Sequence, residues 1–404
     1  MSFGARRSAA ATVPEVPGVL SAAEVYASGC AIAAVQCSDG MIPWSPGGHC
    51  DPWNHVEATM ALTLCGLVEE AEAGFEWLAA TQLGDGSWFN YYLAGKVEDQ
   101  RIDTNVCAYV ATGLWHHALA TGTYDLLARH WPMVERAVDF VLRWQRPDGP
   151  VRWSIDQAGR PEGYALLTGS SSVFHSVRCA VAAAEALDRP RPDWELAAGR
   201  LGHAIAHHQL AFAPKDEFAM DWYYPVLAGA ISGEAARWRL EATWRAFVME
   251  GLGVRCVSGS DWVTAAETAE CAIALSAAGM DQAALDLLAS GQRLRLPDGS
   301  YWTGIVHPDE ATFPGGERTT YSAAAMVLAA DALSSASKAS GLFRAPLLPA
   351  AIDLAEPSCT SGSGCPVAEE TDVPVARRSG AGRCEEGRSC PGLTAGSARQ
   401  PKSA

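Results

Sequence analysis

Between Ser21 and about Ser337, apolar residues recur at three- and four-residue intervals, the spacing of helices with one buried stripe. Stretches that alternate like strands are scarce. Six segments crowded with Ala, Gly, Ser and Cys form one helix type, at 51–67, 103–121, 170–187, 220–232, 262–278 and 320–333. Their partners carry longer side chains and fall at about 21–36, 71–83, 133–146, 193–210, 235–249 and 281–293. Small side chains permit close helix packing, so the first type reads as an inner ring and the second as its cover. Six outer–inner hairpins in alternation predict an all-α fold, a closed (α/α)6 toroid spanning 21–337 as one domain, with no sheet required.

The period fails at both ends. From Ala345 onward Ser, Gly, Pro, Ala and Arg dominate, which predicts a disordered tail over 345–404, and residues 1–20 are expected to be flexible. The tail cysteines, Cys359 with Cys365 and Cys384 with Cys390, are spaced more widely than usual zinc pairs. No histidine accompanies them, so no metal site is assigned.

A short repeat punctuates the helical region. It reads Gln36, Asp39, Gly40, Trp44; then Gln82, Asp85, Gly86, Trp88; then Gln145, Asp148, Gly149, Trp153. A looser copy has Gln292, Asp298, Gly299 and Trp302. Asp-Gly stops a helix, because glycine takes the left-handed conformation at little cost. The Gln amide can satisfy loose backbone groups, and the Trp ring can cover the turn. That makes the repeat a structural device first.

Composition narrows the partners. Hydrophobic residues make up 49% and charged residues 19% of 404, enough for a sizeable core. Acids outnumber bases 46 to 30, for a net charge of −16, which argues against nucleic acid or an anionic membrane as partner. No apolar run reaches the roughly 20 residues of a transmembrane helix. Pro14, Glu15 and Pro17 interrupt any signal-peptide core, so a cytoplasmic location is expected, with the twelve cysteines reduced.

The Gln-x-x-Asp-Gly-x-Trp segments resemble the QW repeats of the squalene cyclase, terpene cyclase and prenyltransferase toroids, with GFEWLAATQLGDGSW (74–88) the best match. The ordered chain is similar to bacterial proteins labelled prenyltransferase. The resemblance implies a transferase or cyclase acting on an isoprenoid or other lipid-like substrate. The catalytic Asp-x-Asp-Asp and Asp-Asp-x-x-Asp motifs of that group are missing, as is the Asp-x-Cys of the zinc-dependent prenyltransferases. Glycosidases use the same six-hairpin architecture.

If the inner helices run parallel, their N-termini gather at one mouth with a positive local potential. The first two place Asp51, Trp53, Asn54 and Glu57 there, with Asp103, Asn105 and Tyr109. The next add His175 after Ser170, then Asp221, Trp222, Tyr223 and Tyr224. Trp262, Glu267 and Tyr321 come from the last two. Asp at a helix start is ordinarily a cap, which is the simplest role for Asp51 and Asp103. Glu57 and Glu267 lie farther inside, where an acid on an apolar ring must be paired or functional. Of the three adjacent aromatics 222–224, at least one faces inward and another outward.

Three functions follow. The leading expectation is an isoprenoid transferase or cyclase. The alternative is a carbohydrate enzyme with Glu267 as general acid and Asp103 or Asp221 as base. The third is a non-catalytic toroid that binds a lipid or sugar. The residue patterns assign no metal ligands and leave the cofactor open.

Overall fold

In the computed structural model, which describes residues 12–344 and Leu348, helices alternate between two layers. Along the chain they are α1 (Ala22–Ala33), α2 (Pro52–Leu64), α3 (Val68–Thr81), α4 (Thr104–Ala108), α5 (Val110–Thr121), α6 (Asp125–Leu142) and α7 (Leu167–Ala186). They continue as α8 (Pro192–His207), α9 (Ala219–Leu227), α10 (Gly233–Ala242), α11 (Trp244–Phe247), α12 (Ala265–Ala277), α13 (Asp281–Gly291) and α14 (Thr320–Ser334).

Six of these pack in a closed order: α2 on α5, α5 on α7, α7 on α9, α9 on α12, α12 on α14, and α14 back on α2. Each carries an outer helix, α3 on α2, α6 on α5, α8 on α7, α10 on α9, α13 on α12 and α1 on α14. The first helix thus covers the last, and the two ends of the chain's helical region meet. Helix α2 shows why these six go inside. Asp51 caps it by accepting from the Asn54 amide at 2.9 Å, and Pro52 sits where no NH is needed. All 13 of its residues are buried.

The repeat turns out to be the pin between neighbouring outer helices. The Gln82 amide donates to the carbonyl of Gly86 in its own turn at 3.0 Å and to that of Met133 on α6 at 3.0 Å. Gln36 bridges Gly40 and Glu70, and Gln145 bridges Gly149 and Ala197, in the same way. Gly86 has φ of 100°, and a Cβ there would lie 2.2 Å from the Arg136 carbonyl oxygen. Only glycine fits a turn pressed that closely onto the next helix. Gly299 presses likewise on Ala27 of α1, so the loose fourth copy closes the circle.

The expectation of an all-α chain without sheets needs correction. Short strands β1 (Tyr91–Leu93), β2 (Lys96–Asp99), β3 (Ile102–Asp103) and β4 (Ser154–Ile155) form two small antiparallel pairs. Strands β5 (Val248–Met249), β6 (Gly253–Arg255), β7 (Trp262–Thr264), β8 (Gly304–Val306) and β9 (Ala311–Phe313) make one five-stranded sheet. Elements this short offer too few positions for a period of two to register. Every one of them lies in a connection from an outer helix to the next inner one. The returns from inner to outer helix are brief, such as 65–67 and 278–280. One end of the ring therefore carries the long, structured loops.

Packing continues past Ser337 at the other end. Asp331 accepts from the Ser337 amide at 2.8 Å and from its hydroxyl at 2.7 Å, and Leu342 is buried. Val16 and Leu20, in the stretch expected to be flexible, are buried as well. The predicted tail and its four cysteines lie outside the described residues, as do residues 1–11. No described helix is long and apolar enough to cross a membrane.

Candidate active site

The long-loop end gathers carboxylates at the starts of the inner helices. Asp51 is fully buried, and both its oxygens are engaged. Besides the Asn54 amide it accepts from the Asn54 side chain at 2.5 Å and the Trp44 indole at 2.5 Å. Burial raises its pKa, against the pull of those donors. Asp103 caps α4 through one oxygen only, accepting from the amides of Asn105 at 2.9 Å and Val106 at 3.3 Å. Burial pushes its carboxyl up to about 8 despite these bonds, with the nearby Asp51 charge adding to the rise. Asn105 beside it keeps a buried side-chain oxygen without a partner among the described residues.

Glu267 enters from the opposite side of the ring, three helices away from α5 in either direction around the closed order. It was expected well inside its helix. The residues before it form strand β7 instead, so Glu267 occupies the first turn of α12. Thr264 donates its hydroxyl to one Glu267 oxygen, and burial followed by the Glu267 charge raises the Cys256 thiol. Tyr321, in the first turn of α14, lies between the two flanking helices α12 and α2. Its ring meets Trp44 edge-on at 5.3 Å, and burial and the charge of Glu267 push its hydroxyl pKa well up.

Below this mouth, buried aromatic and acidic side chains of the inner helices pack together. Trp53 stacks on Tyr109 at 4.5 Å and donates to the Ser172 hydroxyl at 3.3 Å, spanning from α2 to α7. Tyr223 donates to Glu270, which burial lifts to about 8, with Glu267 adding to the rise. Glu57 is raised well above the carboxylate range by burial, then by Glu270, Asp51 and Glu267. One of its oxygens has no partner among the described residues. Tyr224, also buried, feels both Glu270 and Glu57. Burial and the neighbouring acids thus both push Glu57 and Glu270 toward their protonated forms.

Three expected site residues have other placements. Asp221 accepts from the Thr168 amide at 3.1 Å and from its hydroxyl, tying α9 to α7, and burial lifts it to about 6. Trp222 points outward, stacking on Phe247 at 5.1 Å and donating to the Arg239 carbonyl at 3.0 Å. His175 lies at the far end of the ring, bonded to the Leu342 carbonyl at 3.1 Å and stacked on Phe343. Burial lowers its pKa to about 4, so it is neutral there. The reading from sequence missed Trp44 and Thr264 as partners of the acids, because each reaches its carboxylate through a loop or strand geometry that spacing does not encode. Among the described residues no group of three His, Cys, Asp or Glu is placed to hold a metal.

No known protein-family profile matches the chain. Over 341 residues it is 50% identical to the MMP endo-(1,4)-3-O-methyl-alpha-D-mannosidase of Mycolicibacterium hassiacum, covering 84% of this chain and 94% of that protein. A wild-type glycosidase structure superposes with a TM-score of 0.62 at 16% identity, over 80% of this chain and 98% of its own. A D-mannose isomerase does so with 0.56 at 12%, over 76% and 96%. These two likenesses concern fold. The expected kinship with the QW-repeat prenyltransferases and squalene cyclases, and with it the isoprenoid transferase or cyclase function, is overturned by the 50% identity to a mannosidase. The physical reason lies in the repeat itself: its Gln amide bonds a backbone carbonyl of the next outer helix and its Gly lets the turn press onto that helix, a packing role that carries no chemistry.

Proposed function

The chain belongs to the family of the MMP endo-(1,4)-3-O-methyl-alpha-D-mannosidase, and on that premise we propose that it is a glycoside hydrolase cutting (1→4)-linked 3-O-methyl-α-D-mannose chains from within. The identity across 94% of that relative carries the reading. The closed packing order supports a six-hairpin (α/α)6 toroid whose loop-bearing end is the substrate mouth. We take residues 21–337 as the body of its single domain, which Val16, Leu20 and Leu342 extend at the two ends.

Glycosidases of this kind work with two carboxyl groups flanking the scissile bond, one giving a proton to the leaving oxygen. Asp103 suits the donor, since burial keeps it protonated near neutral pH and its second oxygen is not spent on the cap. Glu267, facing it across the ring, is then the opposing carboxylate. This exchanges the roles that the spacing of residues suggested. Asp51, Asn54, Asn105, Tyr321 and Trp262 border the same mouth and serve as sugar-binding groups. Trp53, Tyr109, Tyr223, Tyr224 and Glu57 form the floor beneath the bound sugar. Asp221 acts as a positioning residue through Thr168.

The donor assignment has a direct pH signature. A general acid must carry its proton, so activity should fall as pH rises through about 8. In Asp103→Asn that descending limb should vanish along with most of the rate. A wild-type rate that holds steady well above this range would remove Asp103 as donor. Release of new reducing ends from a 3-O-methylated (1→4)-α-mannan tests the activity itself, and a folded protein that releases none refutes it.

A further inference from the structure

One face of the five-stranded sheet leads from solvent to Glu267. Strand register sets Thr264 opposite Gly304 and Gly304 opposite Phe313, with Trp262 two residues before Thr264. Side chains two apart, and those directly opposite, share a face. Thr264 therefore ends this row on the Glu267 carboxylate, to which its hydroxyl donates. Phe313 stands at its outer end, 43% exposed, and meets the half-buried Trp262 ring edge-on at 4.5 Å. Gly304 lies between them, and a Cβ there would come within 1.9 Å of the Trp262 indole nitrogen, so the indole lies across the bare glycine.

Core packing does not explain this arrangement. A large apolar ring left exposed at a strand end contributes little burial to the fold, and at the rim of a substrate mouth it suits an apolar ligand group. Building on the proposed hydrolase activity, we infer that Trp262 and Phe313 wall a subsite that selects 3-O-methylated mannose over mannose. The two rings meet at 67°, and that angle offers an apolar corner for a methyl group. A free hydroxyl in that corner loses its water without gaining a partner, while an O-methyl group buries apolar surface. Discrimination by one such group in an apolar pocket is worth roughly 10- to 200-fold.

The test uses the full chain and two (1→4)-α-linked mannose oligosaccharides of equal length, one 3-O-methylated and one not. The ratio of their kcat/KM values is measured for wild type, Phe313→Ala and Phe313→Leu. Binding of both is also measured by calorimetry in Glu267→Gln, with and without Phe313→Ala. Wild type should favour the methylated chain by about tenfold or more. Phe313→Ala should cut that ratio several-fold through KM, and Phe313→Leu, which keeps an apolar surface, should retain most of it. Equal losses on both substrates, or a ratio that does not move, overturn the subsite. If neither chain is cut yet binding still favours the methylated one in a Phe313-dependent way, the hydrolase reading fails and the subsite stands. If neither chain binds, both fail.

Discussion

Glu267→Gln is expected to lower turnover on a 3-O-methylated (1→4)-α-mannan by roughly 10² to 10⁴ while the melting temperature hardly changes. The side chain sits in the first turn of α12 at the mouth, 7% exposed, with one oxygen held by the Thr264 hydroxyl. Glutamine keeps the shape and still offers an oxygen to that hydroxyl. What it lacks is the carboxylate, the group that, opposite the Asp103 donor, must assist attack at the sugar carbon. A purely structural acid predicts the reverse pattern, since removing one partner of a buried bond lowers stability and leaves the rate per folded molecule intact. Thermal melts and turnover on the same preparation separate the two. An unchanged rate would remove Glu267 from the reaction.

The second large effect is on stability. Trp88→Ala should cost about 3–5 kcal/mol in denaturant unfolding, with activity per folded molecule retained. Trp88 is fully buried, and its indole donates to the Leu78 carbonyl at 2.9 Å, joining the repeat's turn to α3. Removing it leaves a cavity at the pin between outer helices and takes one of the bonds from the Leu78 carbonyl, which keeps that of the Gln82 amide at 3.1 Å. Trp153, the tryptophan of the next copy, stands four residues past its turn glycine where Trp88 stands two past its own, and it packs differently. It is half-buried and rests against Gly169 at the start of α7, where a Cβ would lie 3.2 Å from its ring. A stability loss for Trp88→Ala below about 1 kcal/mol would mean that the repeat does not pin the outer helices together.

The helices were legible in the sequence because the inner ones are buried nearly all round and the outer ones along a stripe, and both conditions write themselves into residue size and period. The strands were not, and the consequence is visible at Glu267. Trp262, Val263 and Thr264 were read as helix, which placed the acid too deep, whereas strand β7 puts it at the mouth. The repeat was legible as a turn device from Asp-Gly alone. Its misleading family association arose because a pin made from Gln and Gly serves any ring of paired helices, whatever the chemistry inside. Among the aromatics, sequence showed that Trp222 and its neighbours must split between two sides. Only the packing of Trp222 on Phe247 and the bond from Tyr223 to Glu270 decided which went where. The partnership of Trp44 with Asp51 depends on how a seven-residue loop folds back, and no spacing rule contains it.

The central claim is that this ring hydrolyses a glycosidic bond. Incubation of the protein with a 3-O-methylated (1→4)-α-mannan in oxygen-18-labelled water, followed by mass spectrometry of the fragments, tests it most directly. Internal fragments should each carry a single heavy oxygen at the new reducing end, in amounts that fall with Glu267→Gln. An intact polymer after incubation with folded wild-type protein, or new reducing ends that carry no label, would rule hydrolysis out.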